Sequence, residues 1–223
     1  MKWVDEHLYL QVKKDIQALK KPSKTKDVRN LAKKYKKIML EIKIDRALVI
    51  LEELIKSKLW AEKIFSFQIA YDLRVQYHEK VFDVFERWVL NYIEDWWDTD
   101  DFMTHAFGSF LIEYPQFYSN IKKWTKGKHF AIRRSSAVVL ILPIKKKQYA
   151  HFNLFEICDA LLNDPHDLVK KGYGWLLKVA STNGFREEVI QYVIKHVDKM
   201  PRVSFRYAIE NLDIKTKQRL MKL

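Results

Sequence analysis

The sequence has few residues that cross-link or break a chain, and it lacks a long apolar run. Its one cysteine, Cys158, cannot form a disulfide within the chain, and its place in the run LFEICDALL is typical of a small buried hydrophobe. No stretch approaches the ~18 apolar residues of a membrane span, and the opening MKWVDEHLYLQVKKD lacks the apolar segment of a signal peptide. These absences favour a cytoplasmic protein without a membrane anchor.

Common catalytic motifs are missing too. The seven histidines are scattered, with no H-E-x-x-H motif and no Cys/His cluster, so no metal site is predicted. There is no glycine-rich phosphate loop and no G-x-S-x-G elbow, so no cofactor is predicted. No lysine stands in a plausible Schiff-base setting, and a lyase step is not expected.

Glycine and proline number only five each, and apolar residues recur at helical spacing, as in Val81, Val84, Phe85 and Trp88. The breaks between such stretches predict about a dozen helices of roughly 10 to 18 residues. The first helices of the later pairs are expected to begin roughly 30 to 40 residues apart, in the range of HEAT-type repeats. Their predicted starts are near Leu59, Asp98, His129, His166 and Pro201. We predict an all-α chain, a single domain over residues 1–223 that forms a right-handed α-solenoid of HEAT-like helix pairs. A compact helical bundle is the alternative.

What the sequence has in excess is positive charge. The formal net charge of +13 favours a polyanionic partner. In a curved solenoid, basic residues on one helix of each pair form a concave basic groove that suits a duplex backbone, because lysine and arginine neutralise phosphates. The candidates for this groove are Arg133, Arg134, Lys170, Lys171, Arg202 and Arg206. The simpler alternative is that they only solvate convex faces.

One segment, EDWWDTDDFMTH, gathers acids beside two tryptophans. Trp97 precedes Asp101 by four residues and His105 follows it by four, so a helix brings the three side chains together. A carboxylate repels phosphates, but it stabilises positive charge that develops when the N-glycosidic bond of a cationic, alkylated purine breaks. The simpler interpretation is that Asp101 pairs with Arg134 or with the helix dipole, and that the tryptophans are core rings.

WWDTDD resembles the catalytic segment of the AlkD-like DNA alkylation repair family, HEAT-like-repeat DNA glycosylases in which a tryptophan, three residues and an aspartate form half of the active site. HFAIRRSSAVVLIL, KKGYGWLLKVAS and MPRVSFRYAIENL resemble further segments of that family in the same order, and the likeness is clearest over residues 45–212. The resemblance implies that Trp97, Asp101 and Trp175 are catalytic and that Arg134, or Arg133 if the register is shifted, contacts the DNA backbone. It places Arg206 at a basic position and assigns no role to His105, which we treat as a candidate for orienting the Asp101 carboxylate.

The resemblance implies excision of N3- and N7-alkylated purines from duplex DNA without base flipping. Because no lyase step and no metal site are predicted, we expect a monofunctional enzyme without a metal, and we expect a monomer because an open helical array with capped ends usually is one. Residues 1–44 depart from the family pattern: one helix-length stretch precedes KKPSKTKD, and no glycine precedes Gly108. We therefore expect a shortened or divergent N-terminus and keep two alternatives. One is a catalytically silent DNA-binding protein of the same family, and the other is a solenoid scaffold for an acidic protein partner.

Overall fold

The computed structural model describes residues 3–223, with side chains from Asp5 onward. All regular secondary structure in this part of the chain is helical, which confirms the all-α prediction. None of the helices described is long and apolar enough to cross a membrane. The helices are α1 Trp3–Gln17, α2 Thr25–Glu41, α3 Ile44–Ile55, α4 Trp60–Asp72, α5 Val81–Asn91, α6 Trp96–Phe102, α7 Gly108–Glu113, α8 Tyr118–Lys123, α9 Phe130–Val138, α10 Ile141–Lys145, α11 Leu154–Leu161, α12 Asp167–Ser181, α13 Arg186–Lys195, α14 Arg202–Ile209 and α15 Ile214–Leu220. A π-helical segment, Met103–Phe107, joins α6 to α7.

The helices group into two compact units. The first comprises the described residues up to Ile93 together with His105–Phe110, and the second comprises Glu94–Thr104 with Leu111–Leu223. The single domain, the right-handed twist and the concave groove stay predictions.

In the first unit, α2 is amphipathic and packs on α4. Its apolar residues Val28, Leu31 and Met39 are buried. The Tyr35 ring meets Phe65 edge-on at 5.7 Å, and its hydroxyl donates to the Asp15 carboxylate at 2.7 Å. These contacts fix which face of α2 points to solvent.

Helix pairs begin where the repeat spacing predicts. Successive N-caps lie 34 to 37 residues apart, at Leu59, Asp95, His129, His166 and Pro201. Four of these five residues are the predicted starts. The exception is Asp95, which caps α6 three residues before the predicted Asp98.

In the second unit, side-chain bonds join the first helices of successive pairs. Arg134 on α9 bonds to Asp100 on α6 and to the Leu168 carbonyl on α12, and the Ser204 hydroxyl on α14 donates to the Lys170 carbonyl on α12 at 2.9 Å. Each bond joins residues 34 positions apart. Helices α6, α9, α12 and α14 therefore lie side by side in this unit, as in an α-solenoid.

Helices α12 and α14 approach most closely at Gly174. A Cβ there would lie 2.9 Å from Tyr207 Cβ and 3.0 Å from Ser204 Cα. We expect Gly174→Ala to lower the free energy of unfolding by about 1–3 kcal/mol, because the backbone of α14 must move and this outweighs the helix propensity gained. Urea denaturation measures the change.

Gly172→Ala is the matched control for this substitution. Its Cβ would meet only the Arg134 side chain, at 3.2 Å, so a smaller loss is expected. Equal stability of Gly174→Ala and wild type would contradict the close approach of the two helices.

Candidate functional site

The acids of EDWWDTDDF have separate structural tasks. The Asp95 carboxylate accepts from the Trp96 N–H at 2.6 Å, and the Asp98 carboxylate accepts from the Asp95 and Glu94 N–H groups at 2.8 and 3.1 Å. This is a capping box, and Asp98 within it is fully buried. Two acids thus hold the start of α6 and set the direction in which its later side chains point.

A cavity of about 460 Å³ opens among α6, α9, α12 and α14. It is lined by Trp96, Asp100, Arg134, Leu168, Lys171, Trp175, Lys178 and Tyr207. The structure therefore brings together three of the predicted site residues, namely Arg134, Lys171 and Trp175, with a carboxylate and a tryptophan from α6.

Those two residues of α6 are one position earlier than predicted. WWDTDD contains the W-x-x-x-D spacing twice, as Trp96 with Asp100 and as Trp97 with Asp101. Adjacent residues of a helix point about 100° apart, so the two pairs face different directions. The half-buried Trp97 and Asp101 do not line this cavity, and their catalytic assignment stays a prediction.

The Asp100 carboxylate is held by a two-point ion pair. Arg134 Nε donates to Asp100 Oδ1 at 2.9 Å and Nη2 donates to Oδ2 at 2.8 Å, while Nη1 donates to the Leu168 carbonyl. The Arg134 side chain is 6% exposed and that of Asp100 is 22% exposed. The salt bridge that the sequence allowed for Asp101 is thus made by its neighbour, and it orients the carboxylate at the cavity wall.

Burial has the largest effect on the pKa of the Asp100 carboxyl group. Desolvation raises the pKa of Asp100 above its ordinary value, and the hydrogen bonds and charge of Arg134 act in the opposite direction without cancelling it. Burial therefore disfavours the ionised carboxylate of Asp100, and Arg134 is the residue that stabilises it.

Two tryptophans present aromatic surface to the same cavity. Trp96, at the start of α6, is 50% exposed, and Trp175 on α12 is half-buried, one helical turn after Lys171. Aromatic faces attract cations, by ~0.5–2 kcal/mol each. The carboxylate and the two indole rings suit a group that carries or develops positive charge, whereas Lys171 and Lys178 on the same cavity suit an anionic group such as a phosphate.

Arg133, the alternative candidate for contact with the DNA backbone, is bonded to other residues of the protein. It bonds to both carboxylate oxygens of Asp164 at 2.5 and 3.1 Å, and to the carbonyls of Gly127 and Lys128 at 2.9 and 3.0 Å. It fastens the loop before α9 to the loop before α12. A role in DNA binding stays a prediction for this residue.

The other predicted basic residues lie outside the cavity. Lys170 donates to Asp167 at 3.1 Å, and the exposed Arg202 guanidinium stands 4.8 Å over the Phe205 ring. Arg206 is exposed and lines a separate groove with Glu210 and Lys217. Their contact with DNA stays a prediction.

His105 lies in the π-helical segment, where its ring meets Tyr71 edge-on at 5.8 Å. Its role in orienting Asp101 stays a prediction. Sequence reasoning missed Trp96, Asp100, Lys178 and Tyr207. The two residues of α6 carried a usable signal in the capping acids that precede them, whereas nothing in the sequence points to Lys178 or Tyr207.

No cluster of three or more histidine, cysteine or acidic residues that could hold a metal ion occurs within the described residues. Searches of curated proteins and of solved structures find no match. A family model described as DNA alkylation repair enzyme matches residues 23–212, which is most of the chain and begins earlier than the resemblance at residue 45. The chain therefore belongs to the family of DNA alkylation repair enzymes.

Proposed function

We propose that the protein is a DNA glycosylase that hydrolyses the N-glycosidic bond of N3- and N7-alkylated purines in duplex DNA and leaves an abasic site. Membership of the alkylation repair family gives the general function. The observation that carries the finer proposal is the convergence of Asp100, Trp96 and Trp175 on one cavity beside Arg134. The proposal thus retains the predicted chemistry and moves its α6 residues by one position.

Charge determines the role of each group. An alkylated purine carries a positive charge, so it departs with the bonding electron pair and needs little protonation. Positive charge then develops on the deoxyribose, where the fixed Asp100 carboxylate stabilises it more strongly than it stabilises the ground state. A water molecule attacks C1′ and gives up its proton, and Asp100 is the base within the cavity for that step.

The tryptophans bind the cationic sugar and base. Because the leaving group needs no acid catalyst, the enzyme does not require a closed pocket that surrounds the base. This supports excision without base flipping, in which Trp96, Trp175 and Asp100 act on the sugar and its phosphates. Lys171, on the same wall, is suited to an adjacent phosphate.

The rate of base release should depend on the ionisation of Asp100. The reactive form is the carboxylate, so the rate falls as the pH falls through the pKa of Asp100. Because burial raises that pKa, the acid limb should lie at higher pH than an ordinary aspartate would give. Single-turnover rates measured across the acid range test this, with DNA binding measured at each pH as the control. An acid limb at or below the pH expected from the pKa of an ordinary aspartate would contradict the assignment of Asp100 as the reactive carboxylate.

The function itself is tested by single-turnover release of 7-methylguanine and 3-methyladenine from methylated duplex DNA. Base release with an intact abasic strand is the expected result. Salt-sensitive DNA binding without base release would instead support the catalytically silent DNA-binding protein. Retention by an inert anionic resin as strong as by DNA would support a scaffold for an acidic protein.

A further inference from the structure

Positive charge is concentrated in one short part of the chain. Residues 20–37 contain nine cations and one acid, Asp27, a net charge of +8 out of +13 for all 223 residues. The cations are Lys20, Lys21, Lys24, Lys26, Arg29, Lys33, Lys34, Lys36 and Lys37. This segment comprises the loop after α1 and most of α2, in the first unit.

The structure leaves most of these lysines exposed and unneutralised. We use the term lysine face for the exposed Lys20, Lys21, Lys26, Lys33, Lys34 and Lys37. Lys36, on α2, forms an ion pair with Asp72 at 4.0 Å and is therefore left out of the lysine face. In the second unit, by contrast, Arg133, Arg134, Lys170 and Lys178 are each paired with an acid.

The lysine face is held rigidly. The opposite side of α2 is buried on α4, and Tyr35 is fixed by Phe65 and Asp15. On the exposed side, Lys26, Lys33 and Lys37 follow one stripe of the helix, about 16 Å long at 1.5 Å per residue. Duplex DNA carries one negative charge per ~1.7 Å of its axis, so a stripe of this length spans several phosphates.

We propose that the lysine face, none of whose residues lines the cavity, is a second DNA-binding surface that contacts phosphates of the duplex and supplies sequence-independent affinity. The inference rests on the proposed function only in taking DNA as the partner. Lysines are compact point charges that impose no planar geometry on their ligand, which suits binding at any sequence. An anionic membrane fits less well, because the apolar side of α2 is already buried in the protein.

The test is the salt dependence of binding to an undamaged duplex. In the triple variant Lys33→Gln, Lys34→Gln and Lys37→Gln, the slope of log K against log salt should lose ~0.9 for each phosphate contact removed, up to ~2.7 in total. The matched control is Lys195→Gln, Lys199→Gln and Lys222→Gln, which removes the same charge from exposed positions elsewhere. The control should keep the wild-type slope, and circular dichroism checks that both variants fold.

Equal slopes in the triple variant and its control would overturn the proposal. So would unchanged DNA binding combined with lost binding to phosphatidylserine vesicles or to a polyglutamate peptide, which would identify a different partner. The rate of base release at saturating protein should be unchanged in the triple variant, because the cavity is intact. If wild type binds DNA with the larger slope but releases no base, the lysine face stands and the proposed function fails.

Discussion

Asp100→Asn is expected to slow base release by about 10²–10³-fold, whereas Asp101→Asn is expected to leave it nearly intact. Asparagine preserves the size of the side chain but removes the negative charge that stabilises the oxocarbenium-like transition state. Loss of one preorganised electrostatic contact of this kind costs about 10²–10³-fold in rate. The two substitutions are chemically identical and one position apart, so each serves as the control for the other.

The measurement is single-turnover release of 7-methylguanine, with duplex binding measured in parallel. Binding by Asp100→Asn should equal or exceed that of wild type, because a charge that repels phosphates has been removed. Its stability must also be compared, since the substitution leaves Arg134 without its carboxylate partner. The reverse result, with activity lost only in Asp101→Asn, would return the site to the pair Trp97 and Asp101.

The helices and their spacing could be predicted from the sequence because the patterns that indicate them are local. His129, His166 and Pro201 were predicted as helix starts, and each is an N-cap in the structure. Helix caps and apolar periodicity depend on residues within one or two helical turns. The spacing of the helix starts can therefore be predicted from the sequence without knowing the tertiary contacts.

The register of the site was harder to predict, because WWDTDD offers the same spacing twice. The choice between the two pairs depends on the helix start, which the hydrogen bonds of Asp95 and Asp98 place ahead of Trp96. Periodicity does not reveal which acid caps and which faces a cavity. A cap placed three residues too late therefore favours Trp97 with Asp101 over Trp96 with Asp100, the pair that lines the cavity.

Charge partners were the least predictable feature. Arg133 binds Asp164, which lies 31 residues away in the sequence, and Arg134 binds Asp100, 34 residues away. The sequence analysis allowed an acid from the WWDTDD segment to pair with Arg134, but nothing in the sequence points to Asp164 as the partner of Arg133. The lysines of α2 look similar in sequence, yet among the described residues Lys26, Lys33, Lys34 and Lys37 are exposed and only Lys36 is seen in an ion pair with an acid.

Arg134→Ala is expected to lower the free energy of unfolding by about 3–5 kcal/mol, because it leaves the Asp100 carboxylate partly buried and unpaired. It also removes the donor to the Leu168 carbonyl. Arg87→Ala is the matched control. Arg87 binds Glu52 through the same two nitrogens, at 2.8 and 2.7 Å, and its side chain is 45% exposed whereas that of Glu52 is 14% exposed. A smaller loss than for Arg134→Ala is expected, because the charge of Lys56 still acts on the Glu52 carboxylate.

A double-mutant cycle separates the charge pair from simple loss of packing. If Arg134 stabilises the fold by neutralising Asp100, adding Asp100→Asn to Arg134→Ala should recover part of the lost stability, because no unpaired carboxylate then remains. Urea denaturation of the wild type, both single variants and the double variant gives the coupling energy. Strictly additive losses would mean that Arg134 acts through its packing and the Leu168 carbonyl alone, and would weaken the argument that Asp100 owes its charged form to this arginine.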